Sequence, residues 1–249
     1  MFFSLFGKRD KHKKAYDVAS KLYVDIHSHL IPGIDDGCRT IQESIDLLRG
    51  LESLGYKKVI TTPHIMSDSY PNNAEIIKQG LDGLKMTVKA YEINLEIEAG
   101  AEYYLDEYFF EEMQKEEILT IGERYVLFES SYVSKPLQIE EMIFAIGEAG
   151  YEPMMAHPER YRYIKNPEKE YHRFKELGVH FQVNLNSFGG HYGRSAKALA
   201  EYLCEAGMID FLGSDAHHLK QVSSLGEIFE MEIYDKVFLN NTIRNNELL

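Results

Sequence analysis

One supersecondary unit recurs along the chain and limits its fold more than any other feature. A short apolar run ends in a polar residue, a helical pattern follows, then a glycine, then the next run. The closing glycines are Gly55, Gly150, Gly178 and Gly207, in the contexts LGY, AGY, LGV and AGM. Glycine accepts the left-handed backbone that ends a helix, so each reads as a stop. Ahead of Gly150, Ile139, Met142, Ile143 and Ile146 recur at three- and four-residue spacing, the period of one helix face. The apolar runs 22–27, 58–63, 95–101, 125–128, 152–156, 180–185 and 209–214 read as seven strands alternating with helices. Such alternation implies a parallel sheet with right-handed crossovers, either a closed barrel or an open doubly wound sheet.

The residues that follow the strands favour the barrel. In order they are His27, His64, Glu102, Glu129, His157, Asn186 and Asp215, at gaps of 37, 38, 27, 28, 29 and 29 residues. Six of the seven can bind a metal, Asn186 being the exception. In a βα barrel all these positions face one rim, where active sites of such folds lie; in an open sheet they would be strung along an edge. His27 and His29, and likewise Asp215 and His217, are spaced i and i+2, which puts both side chains of a pair on one face of an extended chain. Asp35 and Asp36 follow in the loop IPGIDDG. A lone strand-end histidine or glutamate is more often a satisfied polar group than a ligand. It is the joint placement that argues for metal. The set is His27, His29, Asp36, His64, Glu102, Glu129, His157, Asp215 and His217. These are too many for one ion and suit two or three ions sharing carboxylates. His12, His172, His180, His191 and His218 lack this placement and read as surface or local residues.

Composition narrows the function. With 249 residues, 44% hydrophobic and 27% charged, the chain has the make-up of an ordinary globular protein. No apolar run reaches the ~18 residues of a membrane-spanning helix, and the N-terminus lacks a secretory signal, so a cytoplasmic location is expected. Net charge is −13, against a nucleic-acid partner. Residues 1–21 hold six Lys/Arg against two Asp/Glu, a net +4, so the rest carries −17. That leader reads as a frayed tail, with weak contact to an anionic membrane surface through Phe2, Phe3, Leu5 and Phe6 as its alternative. Residues 22–249 read as one domain. Cys38 and Cys204 make no disulfide framework. Nor does either supply a cysteine phosphatase loop, which needs arginine six residues on: Ser44 and Asp210 stand there.

The segments DIHSHLIPGIDDG, TTPH, GAEYYLD, LFESS, AHPERY and GSDAHHL resemble the PHP (polymerase and histidinol phosphatase) superfamily, over about residues 22–235. The likeness is strongest to its bacterial tyrosine-phosphatase branch, the CpsB/YwqE-like enzymes of capsule and exopolysaccharide synthesis. The resemblance implies a distorted (β/α)7 barrel, a TIM-like PHP fold, with a trinuclear site for two to three divalent ions and no organic cofactor. It places His27, His29, Glu102 and Asp215 on one ion. Glu102 would bridge to a second, with Glu129 and His157; Asp36, His64 and His217 would hold a third. It also assigns Arg160 to the phosphate, with Asp215 and His217 beside the reacting group. A second arginine that such enzymes often carry after the SDxH motif is missing; the stretch reads HLKQVSSL, with Lys220.

Imidazole and carboxylate without thiolate suit Mn, Fe or Zn without choosing among them. The ligand set suits metal-dependent hydrolysis of a phosphomonoester, and the resemblance implies a phosphotyrosine-bearing protein, a bacterial tyrosine kinase, as substrate and partner. The alternatives are a histidinol-phosphate or other small-molecule phosphatase and, in a different class, a non-catalytic module whose metals stabilise a barrel that binds a phosphorylated partner. A nuclease-like phosphodiesterase fits poorly with the −17 body.

Overall fold

The structure, a computed structural model, describes residues 22–115 and 118–249. The basic leader expected over residues 1–21 lies outside the described residues.

Each of the seven apolar runs holds a parallel strand. β1 (Val24–Asp25), β2 (Lys58–Thr61) and β4 (Glu96–Ala99) form a three-stranded sheet in the order β1-β2-β4. A six-stranded sheet has the order β3-β5-β6-β7-β8-β9, with β3 at His64–Ile65, β5 at Glu102–Tyr104, β6 at Tyr125–Glu129, β7 at Glu152–Ala156, β8 at His180–Asn184 and β9 at Phe211–Gly213. All neighbours pair parallel. The mixed α/β architecture is as expected, but the ladder is not one unbroken ring.

The reason for the split lies in two interruptions. β3 resumes where β2 stopped, after Thr62 and Pro63, and β5 resumes β4 after Gly100 and Ala101. Proline cannot donate to a ladder. Backbone bonds bridge the gap all the same: Gly100 N–H donates to Thr61 O at 2.9 Å, and Glu102 N–H to Pro63 O at 3.0 Å. The Gly100 backbone passes so close to residues 120 and 121 that a Cβ there would lie 3.1 Å from Ile121 Cγ1 and 3.2 Å from Thr120 O. Past β1 the chain also touches the chain past β9. Asp215 N–H donates to His27 O at 2.8 Å and His29 N–H to Ala216 O at 3.0 Å.

The helices are α1 (Ile41–Ser53), α2 (Ala74–Ala90), α3 (Glu107–Gln114), α4 (Ile139–Glu148), α5 (Pro167–Glu176), α6 (Leu185–Phe188), α7 (Arg194–Glu205), α8 (Leu219–Phe229) and α9 (Glu232–Asn240). Their ends follow local chemistry. Thr40 Oγ1 accepts from Glu43 N–H at the start of α1, and Asn73 Oδ1 from Ile76 N–H at the start of α2. Gly55, Gly150, Gly178 and Gly207 adopt φ of 96°, 87°, 80° and 67°, the left-handed stops expected. The buried residues of α4 are Ile139, Met142, Ile143 and Ile146, the face read from the sequence. No helix of the described residues is long and apolar enough to cross a membrane.

Strand parity positions the site. On β6, Tyr125 and Leu127 pack with Val24, Ile26, Ile60, Met154, Ala156 and Phe211 in an inner apolar cluster, while Val126 and Phe128 join the larger core shared with the helices. Glu129 continues the inner row, so the apolar cluster ends where the polar site begins.

Candidate metal centre

All nine candidate ligands converge. Four overlapping groups form: His29, Asp36, His64 and His217; His27, His29 and Asp215; His27, Glu102 and His157; and His64, Glu102 and Glu129. Within each group the ligand atoms lie within 4.8 Å of one another. Glu129 ends β6 and His27, His157 and Asp215 follow β1, β7 and β9, while His64 and Glu102 open β3 and β5; the other three come from the turns beyond. Most are deeply buried, Glu102 at 0% exposure, but the Asp36 side chain is half exposed.

Two ligands sit on unusual backbone. His157 (φ 34°) and Asp215 (φ 49°) are left-handed, which a residue with a Cβ adopts at a cost. At β7, Met154 and Ala156 already point inward, so the next residue would ordinarily point out; the left-handed turn redirects His157 to the site. Gly213 makes room from the opposite side. A Cβ there would lie 2.5 Å from Gln182 Nε2 and 2.8 Å from His27 Cβ.

The distances have the scale of a coordination sphere. His27 Nε2 lies 3.1 Å from Glu102 Oε2, 3.5 Å from Asp215 Oδ1 and 3.4 Å from His29 Nε2. His29 Nε2 lies 3.4 Å from Glu102 Oε2 and 3.5 Å from Asp215 Oδ1. Ligands about 2.1 Å from one ion are separated by about 3.0 Å in octahedral and about 3.4 Å in tetrahedral geometry. The other atom of Glu102, Oε1, is 2.9 Å from His157 Nε2. His64 Nδ1 lies 3.3 Å from Glu102 Oε2 and 3.4 Å from Glu129 Oε1, while its Nε2 is 3.5 Å from Asp36 Oδ1. His217 Nε2 is 3.3 Å from the same Asp36 oxygen. His64 therefore stands between two groups, where the resemblance assigned it to one.

Hydrogen bonds on the far side of each ring decide what faces inward. His27 Nδ1 donates to Gln182 Oε1 at 2.6 Å, and His29 Nδ1 to Asp35 Oδ2 at 2.8 Å. Those protons fix the tautomer, so both Nε2 atoms present lone pairs to the carboxylates. Acceptors turned on one another in this way call for a cation, or a proton, between them. His64 Nδ1, buried beside two carboxylates with no hydrogen-bond partner, says the same. The donor set thus fits a divalent ion.

Electrostatics agree. Burial opposes charge on His27, but Glu102 and Asp215 outweigh it and push its pKa up to about 9. Burial and the neighbouring Glu102 carboxylate hold Glu129 well above the usual carboxylate range. Burial would also raise Glu102, but His27 and His64 hold it well below that range. His157 is pushed down to about 4 by burial and by Arg160. Like-charge crowding of this kind is what a bound cation relieves.

A cavity of about 450 Å³ opens above the cluster. Arg160 forms part of its wall. The guanidinium is sandwiched 4.6 Å from the Tyr132 ring and 4.3 Å from the Tyr192 ring, and Nη1 donates to Asp215 Oδ2 at 2.9 Å. Tyr132 OH donates to Glu129 Oε2 at 3.0 Å, and Tyr192 OH to Asp215 Oδ2 at 3.1 Å. Asp35, named in the loop after the first histidine pair but left out of the ligand set, orients His29. Sequence spacing missed Gln182, Tyr132 and Tyr192, and of these only Gln182 left a trace, as a polar residue at i−2 from Asn184 on a buried strand. His218, read as a surface residue, lines the cavity. Lys220 does not; it lines a neighbouring cavity with Arg39, Asp36 and His217. Asn186, the strand-end exception, is buried and donates to Gln221 O.

Residues 23–230 match the family described as capsular polysaccharide synthesis, CpsB/CapC. The chain belongs to the CpsB/CapC family. It is 32% identical to the tyrosine-protein phosphatase YwqE of Bacillus subtilis over 199 residues, covering 79% of this chain and 78% of that protein. The tyrosine-protein phosphatase CpsB of Streptococcus pneumoniae is 30% identical over 202 residues, covering 79% and 83%. A solved structure from work on YwqE and CpsB as metal-dependent tyrosine phosphatases superposes with a TM-score of 0.74 at 27% identity, covering 88% of this chain and 96% of that one. An inactive dihydroorotase-like domain of Chaetomium thermophilum, at 9% identity and a TM-score of 0.51 over 86% of this chain and 75% of that one, shares the fold alone.

Proposed function

We propose that this member of the CpsB/CapC family is a metal-dependent protein-tyrosine phosphatase acting in the cytoplasm on a tyrosine kinase of a capsule or exopolysaccharide system. Residues 22–249 then form a single domain, a distorted (β/α)7 barrel whose ring runs through the interruptions in β2 and β4 and the contact between His27 and Asp215. The observation that carries the reading is the acceptor-only cluster beneath a cavity walled by one guanidinium. His27, His29, Glu102 and Asp215 would hold one Mn, Fe or Zn ion. Glu102, Glu129 and His157, with His64 near, would hold a second; Asp36, His64 and His217 would hold a third. The ions supply Lewis-acid neutralisation of phosphate charge and activation of water near neutral pH. Arg160 presents a planar fork of donors to the phosphate oxygens. Tyr132 and Tyr192 hold that fork in place. His217, only partly buried, would stand beside the reacting group. No residue is assigned as general acid, and a phenol with pKa about 10 leaves with less help than an alcohol.

The test compares kcat/KM for a phosphotyrosine peptide, a phosphoserine peptide and histidinol phosphate at equal metal loading. Phosphotyrosine should lead by about tenfold or more, about 1.4 kcal/mol of transition-state preference. A clear win for histidinol phosphate moves the protein to the small-molecule class. Tight binding of phosphopeptide without turnover makes it a binding module.

Both cysteines are buried and free. Burial pushes the Cys38 thiol up to about 11, the wrong direction for a nucleophile. Cys38→Ser and Cys204→Ser should therefore keep kcat/KM on p-nitrophenyl phosphate within about twofold of wild type. Loss of turnover in a folded, metal-loaded cysteine variant would revive a thiol mechanism.

A further inference from the structure

Beside the Tyr132–Arg160–Tyr192 stack lies a second cavity, of about 270 Å³. Its lining includes Tyr132, Glu159, Arg160, Arg162, Tyr192 and Ser195. Tyr132, Arg160 and Tyr192 also line the metal cavity, so the two spaces share a wall. A substrate whose phosphoryl group sits over the metal cluster must send the rest of its chain past one side or another of that wall.

The lining chemistry says what would settle there. Arg160 is committed to the wall by its two rings and by Asp215. Arg162 is not. Its side chain is exposed and, among the described residues, no carboxylate pairs with it. Its backbone N–H donates to Tyr132 O at 2.7 Å, which anchors its position while leaving the guanidinium free. The exposed Ser195 adds a hydroxyl to the lining. The one acid of the lining, Glu159, offers little opposition. It is buried, and its Oε1 accepts from Asn184 N–H at 3.0 Å and Ser187 Oγ at 2.6 Å. The cavity is thus a small basic spot on a body of charge −17, where an anion would otherwise be repelled.

We propose that this second cavity is a subsite for an anionic side chain neighbouring the phosphotyrosine of the substrate, with Arg162 as the specificity-determining residue. The occupant is a carboxylate or a second phosphoryl group; either accepts the fork of a guanidinium. The inference rests on the phosphotyrosine-phosphatase reading and adds sequence preference to it.

The experiment measures kcat/KM of the metal-loaded enzyme on matched phosphotyrosine peptides. Their flanks are all alanine, or carry glutamate, lysine or a second phosphotyrosine at each near position on either side. p-Nitrophenyl phosphate, which has no flank, reports the metal cavity alone. At one or more positions the glutamate peptide should exceed the alanine peptide by about fivefold, mainly through KM, and the lysine peptide should fall below it. Arg162→Ala should erase the preference, Arg162→Lys keep part of it and Arg162→Glu reverse it, with p-nitrophenyl phosphate turnover near wild type throughout. A larger gain from the second phosphoryl than from glutamate assigns phosphate as the natural occupant; equal gains assign either anion. Turnover of phosphotyrosine peptides with no flank preference at any position overturns the subsite while leaving the phosphatase reading intact. So does a preference that survives Arg162→Glu. Failure of the metal-loaded wild type to hydrolyse any of these substrates overturns the phosphatase reading, and the subsite with it.

Discussion

Replacing Glu102 with alanine should lower bound metal by at least about one ion per chain and cut p-nitrophenyl phosphate turnover by about 10³-fold or more. No other carboxylate in the cluster reaches so many of the histidines. Oε2 lies 3.1 Å from His27 Nε2, 3.4 Å from His29 Nε2 and 3.3 Å from His64 Nδ1, while Oε1 lies 2.9 Å from His157 Nε2. Its loss would leave four imidazoles without a shared counter-charge and two prospective ion positions without their bridge. Metal affinity depends on every ligand being present and deprotonated, so content and turnover should fall together. Glu102→Gln keeps the volume and removes the charge, which separates ligation from packing should the alanine variant fold poorly. Chelation of the wild type should produce the same loss, reversed by adding a divalent ion; stoichiometric metal should fail to restore the Glu102 variants. Full turnover in chelated protein shown to be metal-free by elemental analysis would end the metal hypothesis. A Glu102→Ala enzyme with normal metal content and turnover would end the assignment of its bridging role.

The reach of sequence reasoning follows from what each signal encodes. The strands and their glycine stops were legible because periodicity and left-handed backbone are local properties: Gly55 or Gly150 needs only its own φ. The set of strand-end ligands was legible because parallel βα units bring equivalent positions to one rim. What the linear pattern did not carry were effects of close approach. The break after β2 falls at Pro63, which lacks a donor, and the break after β4 falls at Gly100, where close approach to Thr120 and Ile121 leaves no room for a Cβ; hydrophobicity alone would continue both ladders. Gln182 orients His27 from 155 residues away, and no spacing rule ties a glutamine on one strand to a histidine on another. The placement of His64 between Asp36 and Glu129 depends on which way its ring turns. Tyr132 and Tyr192 are two of seventeen tyrosines, separated from the rest only by the guanidinium between them. His157 is a case where local expectation would have misled, since only its left-handed backbone turns it toward the site.

Arg160→Ala should retain the metals yet lose about 10²-fold in kcat/KM on phosphotyrosine, about 2.7 kcal/mol of transition-state stabilisation. The two halves of this expectation have separate causes. Asp215 Oδ2 accepts from Asn184 Nδ2 at 2.7 Å and Tyr192 OH at 3.1 Å besides Arg160, so that carboxylate stays oriented when the arginine goes, and its Oδ1 still faces His27 and His29. The phosphate side has no such reserve. Neither Arg162 nor Lys220 lines this cavity; each lines a neighbouring one. Arg160 is the only Lys or Arg among the residues lining this cavity, so without it the equatorial charge of the phosphoryl group would lack a guanidinium fork. Arg160→Lys should recover only part of the loss. An ammonium cannot make the bidentate contact, and it does not stack between two rings as a planar guanidinium does. The measurement pairs elemental analysis with kcat/KM on the phosphotyrosine peptide for wild type and both variants. Metal loss in Arg160→Ala would show that the Arg160–Asp215 contact holds the metal site together rather than the substrate. Full rescue by lysine would show that charge alone, not the fork, is what the cavity needs.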